Sequence, residues 1–163
     1  MNLFLLRHGL AAERNIPGFQ RDSDRPLTPE GRKKTAGLAA GLKHLHLSFD
    51  LIITSPYVRA RQTAEVVAQI LKLRKQVELS KDLTPGSSPR PLIEQLRSGR
   101  PMDDVLLVGH EPDLSRLISV LVTGKHGLAL ELKKGGLCKL EIGILRYGRC
   151  ATLQWLVTPK LWL

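Results

Sequence analysis

Six residues of this chain have the chemistry and the placement to handle an anion: Arg7, His8, Ser55, Arg59, Gly109 and His110. A guanidinium is a planar, permanently charged fork that matches phosphate oxygens in pairs. Two histidines join the arginines at one crevice, where neighbouring cations depress an imidazole pKa. Ser55-Pro56 reads as a helix start, so the residues up to Arg59 add backbone N–H groups and the positive end of a helix dipole. Taken singly, each residue has a plainer reading. His8 and His110 could be hydrogen-bonded core histidines, and Arg59 a solvated helical arginine. A metal site is disfavoured, because no carboxylate or third histidine accompanies the pair at ligand spacing and the arginines would repel a cation. His44, His46 and His126 read as surface residues.

The elements that must position these residues are legible from patterning. Leu3, Phe4, Leu5 and Leu6 form an apolar run of the kind buried on both faces of a parallel sheet, and it stops at Arg7-His8-Gly9. Gly9 lets the backbone turn and come close to a ligand. Residues 10–24 are polar and aperiodic and read as a loop over the strand end. Thr28-Pro29-Glu30 predicts a helix start, with Leu38, Leu42 and Leu45 on its inner face and an end near 44–47. A second strand over 50–54 leads into a helix over 57–72, and 77–79 suggests a further strand. The stretch 84–91 reads as a loop before a short helix around 92–97. Val105-Leu106-Leu107-Val108 is another strand, ending in Gly109-His110, and Glu111-Pro112-Asp113 opens a helix that Gly124 ends. Strands follow over 137–144 and 152–157, with Gly148 near their turn. The alternation predicts an α/β fold: helices on both faces of a mainly parallel sheet, whose strand ends converge on one crevice.

Bulk composition sets the outer bounds. The 163 residues fit one domain over 1–163, with ordinary hydrophobic (42%) and charged (25%) content. No run approaches the roughly 20 apolar residues of a membrane span, and the first nine residues lack a secretory pattern. Cys138 and Cys150 make neither a disulfide framework nor a zinc site. A cytoplasmic protein with no membrane partner is expected. The net charge of +10 points to an anionic partner. With aromatics at only 4%, nucleic acid is the less favoured one.

Arg7-His8-Gly9 at the end of the first strand, the run from Ser55 to Ala64 (Ser-Pro-Tyr-Val-Arg-Ala-Arg-Gln-Thr-Ala) and Val108-Gly109-His110 resemble the histidine phosphatase, or phosphoglycerate mutase-like, superfamily. Chain length and Arg25-Pro26-Leu27-Thr28 are most similar to its SixA-type phosphohistidine phosphatases, and the resemblance covers essentially the whole chain. It implies a three-layer α/β/α fold and a cofactor-independent phosphatase in which His8 is transiently phosphorylated. Arg7, Arg59 and His110 would bind the phosphoryl group, with Arg25 as a further phosphate-contacting arginine. The implied partner is a phosphohistidine protein or a small phosphorylated substrate.

In one respect the chain departs from the mutase-like pattern. Mutase-like members carry a glutamate after the second motif that protonates an alkoxide leaving group; here Glu78 and Asp82 are the carboxylates in that region, Asp82 being the possible general acid. Phosphohistidine hardly needs such an acid, since its ring can leave as neutral imidazole. A phosphohistidine phosphatase is therefore the leading expectation. A general phosphomonoesterase is the alternative within the enzymes, and a non-catalytic phosphate- or RNA-binding module the alternative outside them.

Overall fold

A computed structural model describes residues 1–162, so the last position of the expected 1–163 domain lies outside the described residues. The elements are β1 (Asn2–Arg7), α1 (Pro29–His44), β2 (Leu51–Thr54), α2 (Val58–Leu71), β3 (Val77–Leu79), α3 (Pro89–Ser98), β4 (Asp104–Gly109), α4 (Asp113–Thr123), β5 (Leu137–Ile142) and β6 (Ala151–Val157). One sheet has the order β3-β2-β4-β1-β5-β6. The first four of these strands run parallel, while β5 and β6 are added antiparallel on the far side of β1.

The apolar run in β1 has no polar alternation because each side chain has a core to enter. Leu3 and Leu5 pack with Leu92, Ile93 and Leu96 of α3 and with Leu114, Leu117, Ile118 and Leu121 of α4. Phe4 and Leu6 pack on the opposite face with Leu38, Ala39 and Leu42 of α1 and Ala60, Ala64, Val67 and Ala68 of α2. The period-2 geometry of a strand thus divides one continuous run between two cores. Truncating a fully buried member such as Leu5 to alanine costs about 2–5 kcal/mol, because the surroundings close the cavity only in part. Two helices on each face make the three-layer α/β/α architecture. No helix among the described residues is long and apolar enough to cross a membrane.

Three Ser/Thr-Pro dipeptides illustrate what local signals decide. Thr28 caps α1, its side chain accepting from the N–H of Gly31. Ser88 caps α3 in the same way, accepting from Arg90, so that helix starts at Pro89, ahead of the expected 92–97. Ser55 is the correction. The helix after it begins at Val58, behind an N-cap at Tyr57 that has no side-chain cap bond. The Ser55 hydroxyl accepts from the Tyr57 N–H at 3.2 Å and also faces His110. Its role belongs to the crevice.

Candidate active site

Strand register builds the site. In the β1–β4 pair Arg7 stands opposite Gly109, and the His8 N–H donates to the Gly109 carbonyl at 3.0 Å. In the β2–β4 pair Thr54 stands opposite Val108, and the Ser55 N–H continues the ladder to the Val108 carbonyl. The chain leaves β1 for the α1/α2 face and β4 for the α3/α4 face, so the connections part between these neighbours and leave a crevice outside their carboxyl ends. The His8 and His110 rings meet there with centroids 5.1 Å apart. The crevice encloses about 260 Å³, and its cationic lining is Arg7, Arg14, Arg25, Arg59 and Lys134.

A Cβ at Gly9 would lie 2.8 Å from Thr35 Oγ1 and 3.2 Å from Leu27 Cδ2, so the glycine admits α1 against the end of β1. Its N–H donates to Thr63 Oγ1 of α2 at 3.1 Å, which pins the turn after His8.

His8 is buried, and its hydrogen bonds assign its tautomer. Nδ1 donates to the Gly9 carbonyl at 2.7 Å, while Nε2 accepts from Arg59 Nε at 3.2 Å. A neutral ring carrying its proton on Nδ1 satisfies both, and leaves the lone pair on Nε2. Burial above all pushes the pKa of His8 down to about 3; the Gly9 carbonyl acts in the opposite sense, and His110, Arg59 and Arg7 depress it further. Sequence reasoning credited the cations, whereas desolvation is the larger cause.

His110 is also buried and also pushed down to about 3, by burial first and by Arg59 next. Its Nε2 lies 2.9 Å from Ser55 Oγ, and Tyr57 packs edge-on against its ring. Arg7 Nη1 donates to the Leu132 carbonyl at 2.8 Å. Among the described residues, the buried side-chain polar atoms without a hydrogen-bond partner are Arg7 Nε and His110 Nδ1. A buried donor left unpaired is costly, so the Arg7 Nε–H marks a place suited to an anionic acceptor, and His110 contributes a second unpaired nitrogen to the same crevice lining.

The arginines on the other side are already engaged. Arg59 is buried on the first turn of α2; its Nη1 donates to the Asp22 carbonyl at 2.7 Å and its Nη2 to Asp22 Oδ2 at 3.0 Å. Arg25 Nε donates to Asp22 Oδ1 at 2.9 Å and Nη1 to the Ala12 carbonyl at 2.7 Å. Arg14 approaches the same Oδ1 at 3.4 Å. Partial burial opposes charge on Asp22, yet Arg59, Arg25 and Arg14 together hold its carboxyl below the ordinary value. The structure thus brings Arg7, His8, Arg25, Arg59 and His110 into one crevice.

The two candidate acids do not join them. Glu78 is exposed on β3. Asp82 lines another, narrow cavity with Leu83, Leu92 and Leu114, to which His110 also contributes. The carboxylates that do line the crevice are Asp22 and Glu111, which sequence reasoning passed over. Glu111 directly follows the Gly-His pair at a strand end, a signal that its place in the helix-start pattern Glu111-Pro112-Asp113 masks. It accepts from the N–H and the hydroxyl of Ser115, and burial raises its pKa against the effect of Ser115 and Arg7. Glu111 also borders an adjoining groove of about 600 Å³ formed with Gly86–Pro89, Ser115, Ser119 and Leu128.

Comparison with known proteins identifies the family. The family model of the histidine phosphatase superfamily (branch 1) matches residues 3–84. The phosphohistidine phosphatase SixA of Escherichia coli is 31% identical over 127 residues, which covers 77% of this chain and 76% of that protein. An uncharacterized protein of Picosynechococcus is 38% identical over 148 residues, covering 90% of this chain and 88% of its own. The solved structure of the protein histidine phosphatase SixA with tungstate superposes with a TM-score of 0.84 at 25% identity, covering 99% of both chains. The match to this family model and the 31% identity to SixA over about three quarters of both chains place the chain in the histidine phosphatase superfamily.

Proposed function

We propose that the protein is a phosphohistidine phosphatase that works through a phospho-His8 intermediate. The observation that carries this reading is the His8 ring, neutral, with Nδ1 tied to the Gly9 carbonyl and its lone pair on Nε2 amid fixed cations. In the first step the Nε2 lone pair forms a bond to phosphorus while the P–N bond of the substrate breaks. The departing imidazole takes that electron pair and leaves neutral if its ring entered protonated. His8 becomes a phosphorylated, positively charged ring, and its Nδ1–H bond to Gly9 stabilises that charge. Water then attacks phosphorus, orthophosphate departs with the oxygen, and Nε2 regains its pair. Arg7, Arg25, Arg59 and His110 supply the donors that offset charge on the transferring group, which is the main requirement of phosphoryl transfer.

The kinship to SixA supports a phosphatase with a phosphorylated partner; the phosphohistidine substrate rests on the lack of a dedicated acid among the residues after the second motif. One observation favours a second reading, hydrolysis of phosphate monoesters: Glu111 places a carboxyl with a raised pKa at the crevice edge. The deciding experiment mixes the protein with a histidine-phosphorylated protein and, separately, with alkyl phosphates, and quenches without acid. Phosphohistidine turnover with an acid-labile, base-stable phosphoenzyme that His8→Ala abolishes is the expected result. Substantial turnover by that variant would overturn the mechanism, and preference for alkyl phosphates would transfer the assignment to a phosphomonoesterase.

A further inference from the structure

Asp22 is a carboxylate seated where an anionic substrate has to bind. Its two oxygens and its carbonyl occupy both Nη atoms of Arg59 and the Nε of Arg25, with Arg14 beside them. An aspartate that merely braced these arginines from behind would lie outside the crevice, yet Asp22 lines it. It is about one-third exposed and sits in a short turn, Asp22–Asp24, that contributes no residue to either core. The loop before it is exposed over residues 13–18 and tied to the body through the Ala11–Leu27 bridge. The carboxylate can therefore move outward without disturbing packing. One further contact completes the pattern: the guanidinium that Asp22 holds also covers the attacking atom of His8, through Arg59 Nε.

We propose that Asp22 is an internal anion that competes with the phosphoryl group for Arg59 and Arg25, and thereby weakens the hold on free orthophosphate. This rests on the phosphatase reading for its purpose. When a phosphorylated substrate enters, its phosphoryl oxygens take over the Nη donors, Asp22 withdraws, and Arg59 is released from the His8 lone pair toward the transferring group. After hydrolysis the product has lost every contact its carrier made, and Asp22 returns to the arginines as orthophosphate leaves. A substrate with a carrier can offset the displacement of Asp22 by its additional contacts; a bare oxyanion cannot.

The test is calorimetric titration of orthophosphate and of sulfate into wild type, Asp22→Asn and Asp22→Ala. Removing a competing charged partner from two arginines should tighten both oxyanions by about tenfold or more in both variants. Product inhibition by orthophosphate should strengthen in step. Unchanged or weaker oxyanion binding in the variants would overturn the proposal and reduce Asp22 to a brace for the arginines. Because the titration involves no turnover, it gives its answer whether or not phospho-His8 forms.

Discussion

The two walls of the crevice are built on different principles. One is made from strand ends: Arg7 and His8 at the end of β1 and His110 at the end of β4, fixed by a parallel register, by the Gly135 N–H donating to the Arg7 and His8 carbonyls and by the Arg7 N–H donating to the Gly136 carbonyl. It keeps two buried nitrogens, Arg7 Nε and His110 Nδ1, without protein partners. The other is made from the segment over residues 10–27 meeting the first turn of α2, and its arginines Arg25 and Arg59 are engaged by Asp22. A sheet can hold unsatisfied polar groups because many core contacts over-determine their positions; an exposed loop cannot, and its charges pair with each other. The strand wall is preorganised for a developing charge, whereas the loop wall has to exchange one anion for another.

The sharpest way to break this comparison is to remove one donor from each wall. Losing a preorganised donor that acts on the transferring group typically costs ~10²–10³ in kcat, and His110→Ala should fall in that range. Arg25→Ala should cost roughly tenfold, mostly in KM, because the donor it removes must first be freed from Asp22 and contributes chiefly to binding. Steady-state kinetics on a phosphohistidine protein checks both. Equal losses in kcat would mean that the two walls do the same work.

The strand wall also sets a pH dependence. His8 and His110 are held neutral down to about pH 3 in the folded protein, while in the unfolded chain they take up protons near their ordinary 6.5. The unfolded state therefore binds more protons between those limits, and stability must fall as pH is lowered through that window. The contribution is complete above about pH 6.5 and disappears progressively toward pH 3. A drop on the order of a few kcal/mol between pH 7 and pH 5 is expected in urea unfolding, and replacing either histidine by glutamine should flatten it. A profile that stays flat in the wild type would show that these rings are not held neutral by burial.

What the sequence made legible follows the same division. The strand wall was readable because its signal is local: an apolar run interrupted by Arg7-His8 or by Gly109-His110 can only surface at a strand end. The loop wall was not. Asp22 meets an arginine from another element, Arg59, and no period in residues 10–24 announces that contact. Ser55 and Ser88 make the limit concrete, since both precede proline. Ser88 caps its helix and could have been read from the Thr28 pattern, whereas Ser55 is diverted to His110 by a neighbour that only the sheet order supplies. The family pattern points to an acid after the second motif, where Asp82 stands, but the crevice receives Glu111 because β4 lies beside β1.

That displacement frames the smallest effects. Asp82 lies outside the crevice lining, so Asp82→Asn should leave phosphohistidine turnover within about threefold, well short of the ~10²–10⁴ that a general acid contributes. Glu111→Gln should do the same on that substrate, because an imidazole leaving group takes no proton at the breaking bond. Alkyl phosphates separate the two residues. Their leaving oxygen needs a proton, and Glu111 is the half-buried carboxyl at the crevice edge, beside the groove that could receive the alcohol. The expected outcome is slow wild-type turnover of alkyl phosphates, lowered further by Glu111→Gln and untouched by Asp82→Asn. Fast wild-type hydrolysis of a sugar phosphate that collapses in Glu111→Gln would make Glu111 the acid of a phosphomonoesterase. The strand wall would then supply a proton donor as well as the nucleophile and its anion-binding groups.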